Sequence, residues 1–246
     1  MDLPDFSKLF HQSSKNLLKG HPLVSVNPSK WPAEWKTIYY KTYPRLPKVV
    51  LGEIEIKKDI IDCLKTRRSR RDFKKGSITK DELGTLLKYS CGEMGRPINQ
   101  TRGRAQPSGG GRFPIETYSI VLRPSGDMPA GLYHYDVRNH ALDVLWQRDF
   151  DERDCHSLFT YPWVKDATIG IVMTSVFWRN QNKYGERGYR YILLEAGHIG
   201  QNIYLVCEAL GLKCCALGGT YDENLEKLID IDGVTESVVY AIALGK

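Results

Sequence analysis

The sequence predicts an α+β domain: a mixed, mainly antiparallel sheet with helices packed against it. Three observations carry that expectation. The segments "IETYSIVLR", "GLYHYD" and "ALDVLW" follow one another with turns between them and read as successive strands. A near-continuous apolar run, "ATIGIVMTSVF", reads as a strand buried in the middle of a sheet. Behind it come one long helical pattern, "RGYRYILLEAGHIGQNIYLVCEALGL", and a last strand, "ESVVYAIALG". With 246 residues, 41% hydrophobic and 26% charged, the chain has the length and composition for one sizeable core.

Taken in order, residues 1–50 stand apart as an arm rich in Pro, Lys, Trp and Tyr. Prolines at 22, 28, 32, 44 and 47 argue for an extended, turn-rich path rather than helices. Trp31 and Trp35 are suited to pin this arm onto the main domain, residues 51–246. In "IKKDIIDCLKTR" the apolar positions 56, 60, 61 and 64 have helical spacing. In "SITKDELGTLLKYSCGEM", Thr79 and Glu82, three apart, form a capping box before a second helix. "NQTRGRAQPSGGGRFP" reads as a Gly/Pro/Ser loop, and a short helix is expected from Asp149 to Phe159. Gly211 is placed to stop the long helix. "CCALGG" then gives a short strand and turn, and "DENLEKLID" a further helix.

Several function classes drop out. No run of 18 apolar residues occurs, so no membrane span is expected. The start, "MDLPDFSKLFHQSSKN", lacks a charged segment followed by an apolar one, which makes the cytoplasm the expected location. Six cysteines lack C-x-x-C spacing and a His-Cys grid, so no metal site is expected, and the adjacent Cys214 and Cys215 read as buried, inert thiols. A net charge of +6 favours anionic ligands, but no nucleic-acid reading module accompanies it.

The densest charge lies in "KTRRSRRDF", Lys65 to Phe73. Arg67, Arg68, Ser69 and Arg71 offer guanidinium forks and a hydroxyl within five residues, enough to hold a phosphomonoester. A solvated surface turn and a nucleic-acid grip are the competing readings of the same residues. Two glycine turns, "QPSGGGRFP" and "ALGGT", could bring backbone N–H groups close to a flat ligand, because no Cβ stands in the way. Gly197 and Gly200 in the long helix suggest that something packs closely on that stripe, and His198 beside them suits a core or interface position.

Four of these segments resemble the nitroreductase superfamily of flavin enzymes, and within it the SagB-type branch that includes azoline dehydrogenases. "RRSRRDF" resembles the phosphate-gripping turn, and "PSGGGRFPIE" the branch's proline-serine-glycine segment. "KYGERGYRYILLEAGHIGQN" resembles its Lys-Tyr motif and following helix, and "GLKCCALGGTYDENL" the glycine turn beside the flavin ring. The resemblance implies a nitroreductase-like homodimer with two FMN sites at the subunit interface. On it, Arg67, Arg68, Ser69 and Arg71 take the phosphate and ribityl chain. Pro107, Ser108, Gly109 and Gly110 reach the flavin from the partner chain, and Gly218 and Gly219 place amides near the ring edge. Lys183 and Tyr184 match the pair assigned as catalytic base. A lysine of ordinary pKa, about 10.4, would need lowering toward neutrality for that role. Burial and the neighbouring Arg187 and Arg190 are expected to do so.

The implied reaction is FMN-dependent dehydrogenation of a thiazoline or oxazoline in a peptide-like metabolite, with a cyclodehydratase as a candidate partner. Two alternatives remain open: a nitro- or quinone-reductase fed by NAD(P)H, and a flavin-holding scaffold subunit that does not turn over.

Overall fold

In the computed structural model, residues 5–15, 27–74, 76–98, 101–124 and 127–246 are described. The helices are α1 (Phe6–Ser13), α2 (Ala33–Lys36), α3 (Ile60–Thr66), α4 (Lys80–Cys91), α5 (Glu152–Leu158), α6 (Trp178–Tyr184), α7 (Arg187–Leu210) and α8 (Asp222–Ile229). The strands are β1 (Lys48–Val50), β2 (Glu93–Ile98), β3 (Thr101–Arg104), β4 (Ile115–Val121), β5 (Gly131–Asp136), β6 (Ala141–Gln147), β7 (Ile169–Val176), β8 (Lys213–Leu217) and β9 (Glu236–Gly245).

Seven strands make one sheet in the order β1-β6-β5-β4-β7-β9-β8, and every pair in it is antiparallel. The expected mixed character reduces to one isolated parallel bridge, Ser69 to Cys214. As its apolar run predicts, β7 lies inside the sheet and is buried on both faces. The period of two sorts its side chains. Ile169, Ile171 and Met173 join the core under α4 and α7, while Val172 faces the core under α5 and α8. Strand β9 divides the same way, with Ile242 and Leu244 on one side and Ala241 and Ala243 on the other. The result is a sheet with helices on both faces.

Local signals set the helix ends. The Thr79–Glu82 capping box closes in both directions and starts α4. Gly211, at φ 70, ends α7 in the left-handed conformation. Helix α3 begins later than its apolar spacing suggests, at Ile60, because Asp59 accepts a hydrogen bond from the Ile61 N–H and caps it there. Ile56 therefore lies outside the helix.

Two expectations change. The proline-poor start forms a helix, α1, capped by Asp5. Pro28 opens a 3-10 turn and Pro32 caps α2, both positions where a missing N–H is harmless. The segment read as a loop, residues 99–114, contains strand β3, which pairs with β2 just before it; the register of the pair shifts between Glu93 and Pro97. Its residues carry no clean alternation for a pattern to show.

Candidate functional site

The basic turn follows α3 and is fixed by backbone bonds at both ends. Arg67 N–H donates to the Cys63 carbonyl at 2.8 Å, and Arg70 N–H to the Cys214 carbonyl at 2.9 Å. Beneath it stands Tyr204 of α7. The Tyr204 hydroxyl oxygen accepts from the Ala216 N–H at 2.9 Å and lies 2.8 Å from Ser69 Oγ. With Tyr204 donating to Ser69, the serine's own proton stays available to an anion.

The arginines divide by role. Arg70 pairs with Glu208 at 3.3 Å. Arg68 turns back, donating to the Lys65 and Arg67 carbonyls. Arg67 lies over the Tyr204 ring and Arg71 over Trp163, and neither has a carboxylate partner among the described residues. Trp163 stacks on Tyr161, whose hydroxyl is 4.0 Å from where a Cβ on Gly218 would sit. Gly219 is held by Thr160, whose N–H and Oγ1 both donate to its carbonyl. The turn, Ser69, Arg67, Arg71 and the Gly218–Gly219 turn thus share one side of the molecule.

Pro107, Ser108, Gly109 and Gly110 lie elsewhere, against the start of α7. Gly110 has φ 67, and a Cβ there would come within 2.3 Å of the Tyr184 hydroxyl, so the tyrosine lies directly on the glycine backbone. A Cβ on Gly109 would meet Tyr191 at 3.1 Å. The Ser108 hydroxyl accepts from the Phe113 N–H at 2.8 Å, which fixes the turn from within. Tyr191 and Tyr204 are thirteen residues apart on one helix, a rise of about 20 Å. One chain therefore holds its basic turn and its proline-serine-glycine turn at well-separated places.

Lys183 is 5% exposed, with Nζ 3.2 Å from the Trp31 ring centroid and no hydrogen-bond partner among the described residues. Burial and, secondly, the Arg112 charge bring its pKa down from 10.5 to about 8. The expected contributions of Arg187 and Arg190 are replaced. Their guanidinium groups donate instead to Ser14 and His11 and so hold α1. Arg112 is buried and donates to the carbonyls of Glu34, Trp35, Thr37 and Arg179, stapling the arm over α6. As expected, the tryptophans pin the arm: Trp31 covers Lys183, and Trp35 Nε1 donates to the Asn182 carbonyl at 3.2 Å.

Two buried carboxyls escaped the sequence reading. Glu195, 1% exposed, accepts from Gln106 Nε2 at 3.2 Å, and burial raises its pKa to about 7. Its place on the apolar stripe of Ile192, Ala196 and Ile199 was the available signal. Burial alone would raise Glu116 as well, but the His134 hydrogen bond and the Arg179 charge bring it down to about 2. His134 bridges Glu116 at 2.9 Å and Asp143 at 3.0 Å.

Gly200 packs inside its own chain, where a Cβ would lie 2.6 Å from the Tyr240 ring. Gly197 and His198 are exposed, and a Cβ on Gly197 would meet nothing within 4 Å. Among the described residues no helix is long and apolar enough to cross a membrane.

Residues 64–246 match the model of the nitroreductase family. The chain is 30% identical over 171 residues to a nitroreductase-type protein of Methanocaldococcus jannaschii, covering 69% of this chain and 83% of that one. It is 30% identical over 175 residues to the trifolitoxin-processing protein TfxB of Rhizobium leguminosarum bv. trifolii, covering 68% of this chain but only 47% of TfxB. A nitroreductase-type structure from Anabaena variabilis aligns with a TM-score of 0.74 and 26% identity over 100% of this chain and 48% of that one. The Escherichia coli microcin synthetase McbBCD complex with truncated pro-MccB17 bound aligns with a TM-score of 0.62 and 20% identity, over 98% and 91%. A nitroreductase-type protein from Desulfovibrio desulfuricans in complex with FMN aligns with a TM-score of 0.52 and 17% identity, over 77% and 86%.

Proposed function

The chain belongs to the nitroreductase family, and from that premise we propose that it is an FMN-dependent dehydrogenase oxidising an azoline ring in a peptide-like substrate. The observation that carries the reading is Lys183: a buried amine without a hydrogen-bond partner, beside a tyrosine seated on the glycine turn. A structural lysine would be paired or in water. The likeness to the trifolitoxin-processing protein TfxB supports a peptide-like substrate, and a cyclodehydratase is the partner proposed with it.

The residues present suit FMN. Arg67 and Arg71 carry guanidinium groups without carboxylate partners among the described residues, and Ser69 can donate its proton when it accepts from Tyr204, which together fit a phosphate dianion. Arg68 is the weakest member of the set, since it already donates to its own helix end. Gly218 and Gly219 lie on the same side, suited to the ring edge. Pro107 to Gly110 are about 20 Å farther along α7, and this separation supports a homodimer in which the partner's turn completes each site. Exposed apolar side chains, Ile60, Ile61 and Leu64 on α3 and Leu193 and Leu194 on α7, support the same assembly.

Bound FMN supplies a two-electron acceptor for hydride. The chain's residues do the rest. Lys183, as neutral amine, takes the proton from the ring carbon. Tyr184, fixed between Gly110 and the Tyr191 ring, orients the ring and adjoins the base. Trp31 and Trp35 keep water from Nζ.

The test is turnover of a thiazoline peptide at matched FMN content by wild type, Lys183→Ala and Tyr184→Phe. Loss of azoline oxidation with retained reduction by dithionite is the expected result. Unimpaired oxidation by Lys183→Ala sinks the base assignment. Reduction by a nicotinamide without any azoline turnover in wild type favours the reductase reading.

A further inference from the structure

Between the N-terminal arm and the glycine turn lies a cavity of about 860 Å³, lined by residues from 28–38 and 103–113. Trp31, Trp35 and Phe113 give it flat apolar faces, on which a planar ring can stack. Its ionised lining is of one sign: Lys36, Arg104 and Arg112. How these charges are balanced decides what can enter. Arg112 is bonded to backbone carbonyls and to no carboxylate, so its full charge remains. Arg104 stacks on the Phe113 and Tyr40 rings at 4.7 and 5.4 Å. Exposed Lys36 donates to the Ser29 carbonyl at 3.3 Å. The buried carboxylates nearby are Glu93, which accepts from the Tyr40 hydroxyl at 2.6 Å, Glu116, bonded to Arg179 and His134, and Glu195, bonded to Gln106. The Arg104 charge helps hold the pKa values of the last two down, so Arg104 is partly balanced from behind the cavity wall. Arg112 and Lys36 have no carboxylate partner among the described residues.

We infer that this cavity is the subsite for the ring-bearing segment of the substrate, and that it selects segments with acidic or uncharged residues beside the ring and excludes those with Lys or Arg there. The inference rests on the dehydrogenase reading and adds a rule of substrate choice to it. A cationic side chain entering the cavity meets like charges in a partly desolvated space. At an effective dielectric of about 20 and a separation of roughly 10 Å, each such pair changes affinity by about tenfold. Tryptophan faces can attract cations, but the Trp31 face nearest the site is already taken by Lys183 Nζ.

The experiment is calorimetric titration of the FMN-loaded protein with short capped thiazole peptides that differ only in the residue next to the ring: Asp, Ala or Lys. The Asp peptide is expected to bind at least about tenfold more tightly than the Lys peptide, with Ala between, and added salt should compress the ratio. Lys36→Glu should narrow it several-fold. Equal affinities, a preference for Lys, or no binding by any of the three overturns the inference. Thiazole is the ring after oxidation, so the measurement needs no turnover. An intact charge preference without azoline oxidation sinks the dehydrogenase reading alone.

Discussion

Replacing Lys183 with Met should make the protein more stable and less active. A lysine with a pKa of 10.5 when unfolded and about 8 when folded weakens the fold while it is protonated. The difference is worth about 3 kcal/mol before other contacts are counted. The net gain expected for Lys183→Met is therefore at most about 3 kcal/mol at pH 7. Its sign against pH is fixed. The penalty is full below about pH 8 and fades as pH rises from 8 toward 10.5, where the unfolded chain also loses its proton.

Urea unfolding of FMN-free wild type and variant from pH 6.5 to 9.5 measures this directly. The wild-type deficit should be constant below about pH 8 and shrink above it. In parallel, azoline oxidation by wild type should rise about tenfold per pH unit up to about 8 and then level, as the neutral amine accumulates. The variant should lose about 10²–10⁴-fold in rate at matched flavin content. A variant less stable than wild type, or a stability difference independent of pH, would refute the account of Lys183 as a buried and unpaired cation.

Arg67→Ala and Arg71→Ala should each weaken FMN binding by one to two orders of magnitude, about 1.5–3 kcal/mol, read from flavin fluorescence titration. Glu116→Gln should cost about 3–5 kcal/mol in urea unfolding, since it leaves the Arg179 guanidinium buried without its carboxylate. Glu116 also ties stability to acid: its contribution is present above pH 4.5 and lost as pH falls toward about 2, visible as an acid-unfolding midpoint that moves in the variant. Gly200→Leu should unfold the chain by driving a side chain into Tyr240, while Gly197→Arg should keep the fold and, in sizing with absorbance detection, lose dimer and flavin together.

The parts of this molecule legible in its sequence depend on neighbours within one helix or strand. The apolar run of β7, the capping box at Thr79 and the stop at Gly211 are local in that sense. The resemblance that points to the lysine-tyrosine pair rests likewise on one continuous stretch. What sets the surroundings of Lys183 is not local. Trp35 meets Asn182 across 147 residues of chain, and the buried cation acting on Lys183 is Arg112, not the nearer Arg187 or Arg190. Arg187 and Arg190 follow Lys183 closely in sequence but lie on α7, beyond the break at Gly185, and the turns of α7 direct them to α1.

The glycines of α7 show the same limit more sharply. Both interrupt an apolar helical pattern, and each costs about 1 kcal/mol of helix propensity relative to alanine, so the sequence treats them alike. Three residues separate them, which places them about 60° apart around the helix axis. That rotation suffices to turn Gly200 into the sheet, against Tyr240, and Gly197 outward beside Leu193 and Leu194. Gly200 thus answers to the packing of α7 on β9, whereas Gly197 has no neighbour among the described residues of its own chain that forbids a side chain. If alanine at Gly197 is tolerated in the isolated chain but weakens self-association, the glycine exists for close approach of a second copy. If it raises stability by about 1 kcal/mol and leaves the assembly untouched, that face is not where the two chains meet.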